Sequence, residues 1–292
     1  MNRYQKFFAE LQEKFTKMLY EEYDLEANKL HELQNANKDI LLQKIANIML
    51  NYNISNEFMN LDNKDRLNLR DELFEMISNS FIDEIKSEKE NTSNILNNCA
   101  KDKFYNNCYL YEFGVINYNL KKVSNKVLKD IINVKIEGKN YSDRIWSNKN
   151  DLSKKIKVEV NDFLNGKTSV NEINTRISKR YNQNWDNTNR LVTNEISRVQ
   201  EGANEVWRDN HNIKKVLYSA TLDKHTCSDC GEYDGKVYDV DKTPVDLPKH
   251  VRCRCTYISL VSKNWRPKLR MDNETKERIN WQSYTEWKEN KK

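Results

Sequence analysis

Cys227-Ser-Asp-Cys230, followed after nineteen residues by His250-Val-Arg-Cys253-Arg-Cys255, decides how this chain is read. Four of its six cysteines and one of its four histidines fall in this stretch. Two sulfurs on a two-residue turn grip one side of a tetrahedral ion. A second pair returned by a hairpin closes the other side, which is the geometry of a structural Zn²⁺. The candidate ligands are Cys227, Cys230, His250 and Cys253, with Cys255 able to replace Cys253, since alternate residues of a strand share a face. One or two disulfides beside an unrelated histidine are the competing reading. The amphipathic, charged N-terminus lacks the apolar core of a secretion signal, which places the chain in a reducing cytoplasm and weighs against disulfides.

Around the cluster the period is that of strands. Lys214–Leu222 alternates, Lys236–Asp239 follows a turn at Gly231/Gly235, and Thr256–Val261 is a third strand, so the cysteines sit on the turns and ends of a small antiparallel sheet. Upstream the period is helical. Leu152, Ile156, Val160 and Leu164 form a stripe that stops at Asn165-Gly166. Thr168 or Ser169 caps a second helix through Val170, Ile173, Ile177 and Tyr181, and a third runs from about Asp186 to Asp209 with Val192, Ile196, Val199, Ala203 and Val206 inward. Residues 4–50 read as one or two helices with Phe7, Leu11, Phe15 and Met18 on one face. Residues 86–108 read as a loop or weak helix, and Tyr109–Ile136 as helix again. Three domains are expected: a helical region at 1–145, a domain at 146–262 whose Cys/His module covers 213–262, and a tail at 263–292. The fold class is mainly α, with a helical N-terminal region and helical core followed by a small α+β zinc-binding module.

Composition agrees. Only nine of the 292 residues are Gly or Pro, which favours long helices over an all-β fold. With 37% hydrophobic and 32% charged residues, the cores should be thin. The 41 asparagines are dispersed, so they read as an A/T-rich coding bias rather than a prion-like tract. A net charge of +5 permits contact with nucleic acid without demanding it. No apolar run is long enough to span a membrane.

A zinc closed by four protein ligands leaves no position for a substrate water. The H-x-E and P-C-x2-C order of zinc deaminases is absent, as are H-E-x-x-H, G-x-S-x-G and Walker motifs. The chain is therefore expected not to be an enzyme. Arg252 and Arg254 could meet phosphate, or simply offset three thiolates on one Zn²⁺. Glu195 and Arg198, one helical turn apart, read as a surface pair. The tail's interleaved Trp and Lys could stack bases, but such a tail more often folds on its own domain or a partner.

The segment Leu152–Leu260 resembles the phage head morphogenesis family, the minor capsid proteins similar to protein F of phage Mu. Phe163-Leu-Asn-Gly166 leading into Ser169–Arg180 resembles that family's glycine-turn helix pair. Thr193-Asn-Glu195-Ile-Ser-Arg198 is similar to its R-T-E-x-x-R helix, with an Asn between Thr and Glu. Asp223, Thr226-Cys-Ser-Asp-Cys230, Gly235 and Leu247-Pro-Lys-His250-Val-Arg-Cys253-Arg-Cys255 resemble its cysteine signature, with Val251 where a Pro is usual. The resemblance implies a low-copy structural component of the virion, inside the capsid near the portal, involved in head assembly and DNA exit. It implies contacts with the portal protein, scaffold or major capsid protein and with phage DNA, and synthesis in a bacterial cytoplasm. The rival classes are a zinc-supported nuclease or toxin-associated module, and a DNA-binding protein.

Overall fold

The structure is a computed structural model that describes residues 3–112, 122–260 and 267–291, apart from the side chains of residues 3–25, 27 and 110–112. Its contacts divide the chain into two units, one of Asp24–Ser93 and Lys135–Val192 and one of Met1–Tyr23, Asn94–Val134 and Thr193–Lys292. The Phe7, Leu11, Phe15 and Met18 stripe lies outside the described side chains. No described helix is long and apolar enough to cross a membrane.

The first unit is helical. It is built from parts of α1 (Arg3–Asn51), α2 (Asn63–Glu112) and α5 (Ile173–Asn210), together with α4 (Tyr141–Leu164) and a two-strand hairpin of β1 (Ile54–Ser55) and β2 (Phe58–Met59). Apolar residues recur every three or four positions and meet in one core: Leu41, Ile45 and Ile48 from α1, Leu69, Leu73 and Ile77 from α2, Ile156, Val160 and Phe163 from α4, Ile173 and Ile177 from α5. Asn140 and Asp143 close a capping box at the start of α4. Its end falls at the expected Asn165-Gly166, where Gly166 takes φ +67° and a Cβ would meet the Met59 carbonyl at 3.0 Å.

Two expected breaks do not occur. The two helices read at 168–181 and 186–209 are one helix, α5, and the weak segment 86–108 is the continuous interior of α2. Polar residues in and around these segments are buried in pairs. Asn184 accepts a hydrogen bond from Gln34 at 3.0 Å, Thr188 donates to Glu88 at 3.0 Å, and Lys149 bridges Glu84 at 2.9 Å and Glu88 at 3.1 Å. Burial disfavours the Lys149 charge, but Glu88 and Glu84 outweigh it and hold the ammonium above its usual pKa.

The second unit holds α3 (Asn125–Ile132), the C-terminal half of α5, and the sheet β4-β3-β5, made of β3 (Lys215–Ser219), β4 (Val237–Asp239) and β5 (Thr256–Ser259). Both pairings are antiparallel, with Val216 opposite Tyr238 and Ser259. All three strands fall where the alternation placed them. The short α6 (Ser228–Tyr233) starts on Cys227, and β6 (Leu269–Met271), β7 (Arg278–Asn280) and α7 (Tyr284–Asn290) follow. Val192, Ile196, Val199 and Ala203 are buried as read, Val206 is partly buried, and Trp207, four residues after Ala203, is fully buried in a cluster with Phe104, Cys108 and Ile213 against which Val206 packs. Ile196→Asp places an unpaired charge at a site 1% exposed, so an equilibrium-unfolding loss of about 3 kcal/mol or more is expected. An unchanged thermal midpoint would mean that this face is solvated.

Candidate metal centre

Local backbone geometry brings the predicted ligands together. Cys227 is the N-cap of α6, and its sulfur accepts from the Cys230 amide at 3.4 Å, so one turn of chain aims both sulfurs the same way. The second pair sits on a tight turn in which the Cys253 amide donates to the His250 carbonyl at 3.0 Å and Arg252 takes φ +61°. His250 Nε2 lies 3.4 Å from both Cys227 Sγ and Cys230 Sγ. Its Nδ1 is 2.9 Å from the Val251 carbonyl. A proton on Nδ1 donates there and leaves the Nε2 lone pair facing the sulfurs, the usual orientation of a metal-binding imidazole.

The donors form two overlapping groups, Cys227–Cys230–His250 and Cys230–Cys253–Cys255, each with its ligand atoms within 4.8 Å of one another. Cys230 belongs to both, Cys253 is buried and Cys255 is half-buried. The structure thus gathers all five predicted donors and leaves Cys253 and Cys255 as alternatives. None of the four sulfurs is in a disulfide.

The electrostatics suit a cation. A hydrogen bond from the Cys255 thiol lowers the Cys230 thiol to about 4 and Cys253 to about 6, while Cys255, shared between those two sulfurs, is pushed up. Two neighbouring sulfurs therefore favour the thiolate, with one proton held between them where a cation would supply the charge. The Tyr218 hydroxyl is buried beside Cys230 and Cys255 with no oxygen or nitrogen partner, so it is placed to donate to a thiolate. Four sulfurs and an imidazole fit a soft or borderline metal rather than Mg²⁺ or Ca²⁺. The group can hold a metal ion.

The remaining motif residues support this centre. Asp223 is buried; its Oδ1 accepts from the His225 amide at 2.9 Å and its Oδ2 from Arg254, which fixes the loop entering Cys227. Arg252 and Arg254 are both exposed, but Arg254 is tied to the buried Asp223. Gly235 has φ +75° and lies under Trp281, whose ring would be 2.6 Å from a Cβ. Ser197 on α5 donates to the Cys253 carbonyl at 2.7 Å. Glu195 and Arg198 are not the surface pair expected. Both are buried, and Arg198 donates to the carbonyls of Ile131 and Ile132 at 2.7 and 2.8 Å as well as to Glu195. Arg198, held in place by Glu195, closes the open end of α3, because a buried helix terminus needs donors for its last carbonyls.

The tail folds on its own domain, the more usual of the two readings of its sequence, but the residues that anchor it were not foreseen. Asp234 is fully buried and accepts from the Ala220 and Tyr284 amides and from both terminal nitrogens of Arg270. Arg270 also reaches the carbonyls of Ala220 and Gln282. The available signal was the pairing of small and large: Gly231 and Gly235 in the module against Tyr284 and Trp281 in the tail.

Residues 150–258 match the family described as Phage Mu protein F like protein. A curated relative, the NAD(+)–arginine ADP-ribosyltransferase EFV of Enterococcus faecalis, is 29% identical over 207 residues, covering 64% of this chain and 42% of the relative. This chain therefore spans less than half the length of that relative. No solved structure matches. The match to the Phage Mu protein F like family thus covers 109 of the 292 residues, and that segment holds all five clustered donors, Cys227, Cys230, His250, Cys253 and Cys255.

Proposed function

We propose that this chain is a minor capsid protein of a phage or prophage, a low-copy component of the virion interior that sits near the portal and serves head assembly and DNA exit. The family match over residues 150–258 carries this reading. The cluster holds one structural Zn²⁺ through Cys227, Cys230, His250 and either Cys253 or Cys255. When bound, the ion supplies folding free energy to the module and no reaction step, since four protein ligands leave no open position. Residues 146–262 act as the head-morphogenesis domain, 263–292 as its C-terminal strap, and 1–145 as the helical region that meets the portal, scaffold or major capsid protein. Arg252, exposed on the zinc turn, is the residue best placed for phage DNA.

The N-terminal stripe is the proposed docking element, laid as an amphipathic helix into a groove of the capsid-associated partner. Particles assembled with the Leu11→Asp, Phe15→Asp double variant should contain at least tenfold less of this protein per head than wild type, measured by quantitative mass spectrometry. Normal incorporation would place the docking surface in the C-terminal half and refute this mode.

A second reading has one observation in its favour, the similarity to the ADP-ribosyltransferase. On that reading the shared domain is a toxin-associated module. Incubation with labelled NAD⁺ and an arginine-containing acceptor peptide distinguishes the two, as does incubation of DNA with added Mg²⁺ or Mn²⁺. The capsid reading expects no label transfer and intact DNA. Transfer or cleavage that disappears on mutating the chain would establish an enzyme.

A further inference from the structure

The two cysteine pairs of the metal centre are held by different parts of the chain. The second pair is tied to α5, through the bond from Ser197 to the Cys253 carbonyl. The first pair, Cys227 and Cys230, is held by the C-terminal segment, which the family match does not reach. The loop that leads into Cys227 is fastened to that segment at successive residues. Leu222 forms a parallel bridge with Asp272, and its carbonyl accepts from the Asn273 amide at 2.9 Å. The Lys224 amide donates to Glu274 Oε1 at 2.9 Å. The Tyr284 hydroxyl donates to the Thr226 carbonyl at 2.9 Å.

Tyr284 brackets the C-x2-C turn. Thr226 immediately precedes the first sulfur donor and Gly231 immediately follows the second. The Tyr284 hydroxyl is bonded at the first of these positions. Its ring lies against the other, where a Cβ would come within 2.3 Å of Cδ1. The side chain is itself fixed. It is 5% exposed, it clusters with Leu222 and Trp287, and its amide donates to the buried Asp234 at 2.6 Å. The bond from the Cys230 amide to the Cys227 sulfur sets the two donors relative to each other, whereas Tyr284 sets the peptide on which the turn is mounted. Groups that orient metal ligands from outside the coordination sphere change metal affinity by about 10–100-fold.

We propose, on the zinc reading of this cluster, that Tyr284 is a positioning residue of the metal centre, and that metal binding at Cys227 and Cys230 is coupled to docking of the C-terminal segment. The coupling is reciprocal: the factor by which the docked segment raises metal affinity is the factor by which the metal tightens the docking of α7. Loss of the ion therefore weakens the hold of α6 on α7, so the terminal helix reports on the state of the metal.

The test uses the full chain under reducing conditions, with Zn²⁺ titrated against a chelating dye and Co²⁺ as a spectroscopic substitute. Wild type is expected to take one ion. Tyr284→Phe keeps the ring on Gly231 and loses only the bond to Thr226, so it should stay folded, still take one ion and bind it about tenfold more weakly. At saturating Co²⁺ its ligand-field bands should be displaced from those of wild type, since a role in folding alone would lower affinity without altering the loaded site. Glu274→Ala, at an exposed contact with the same loop, should weaken binding about threefold, and it keeps the test open if Tyr284→Phe does not fold. Wild type that takes no metal refutes the zinc reading and this proposal with it. One ion in wild type with unchanged affinity in the folded variants, or unchanged Co²⁺ bands in Tyr284→Phe, refutes the proposal and leaves the zinc reading standing.

Discussion

Stripping the metal from the Cys/His centre should unfold the C-terminal module while leaving the helical unit's far-ultraviolet signal largely intact. The expected loss is large because a structural zinc contributes on the order of 10 kcal/mol in small metal-dependent folds. The apolar cluster beneath the sheet, with Val216, Tyr218, Leu247 and Tyr257, has the cysteines themselves among its members. Without a cation, the Cys230 and Cys253 sulfurs are joined only by hydrogen bonds from the Cys255 thiol inside that cluster. Chelation under reducing conditions should abolish the near-ultraviolet signal of Tyr218, Tyr233 and Tyr257, and Cys227→Ser should reproduce it. Elemental analysis should find about one zinc per chain. A module that melts at the same temperature with and without chelator would show that the sulfurs are held by packing alone.

Removing the Asp234 carboxylate should come next in size. The pair it makes with Arg270 is 0% and 3% exposed, and each partner is saturated by further hydrogen bonds. Asp234→Ala would strand a buried guanidinium and leave the Ala220 and Tyr284 amides without an acceptor, which costs about 3–5 kcal/mol. Replacing both members, as in Asp234→Leu with Arg270→Met, should recover part of that loss, because the penalty comes from the unpaired charge. Urea unfolding of the single and double variants measures both. A single-variant loss below about 1 kcal/mol would mean the tail is undocked in solution.

The centre was legible in the sequence because its chemistry is local: two short motifs fix four donors before any tertiary contact is known. The three strands of its sheet were legible because alternation next to a glycine turn has few other readings. Helix continuity was not. Asn184, between the two helices as read, looks like a solvent-facing breaker, and only a partner far along the chain, Gln34, shows that it is buried. Arg198 misled in the same way. A charged residue one turn from an acid resembles a surface pair, and nothing near it reveals that its other nitrogens close α3 from 66 positions away. Periodicity assigns polar side chains to water, so a thin core completed by buried polar pairs escapes it.

The glycines at 231 and 235 set a limit on where this domain can be cut. A boundary drawn from family similarity stops at residue 258. A boundary drawn from steric fit runs on to residue 287, since the rings of Trp281 and Tyr284 occupy the space that side chains at 235 and 231 would otherwise fill, and Trp287 anchors α7 by donating to Asp272 at 2.9 Å. Expressed alone, residues 150–258 would present two ring-sized hollows and the buried Asp234 carboxylate to solvent, so insolubility of that fragment would reflect a missing wall rather than a missing partner.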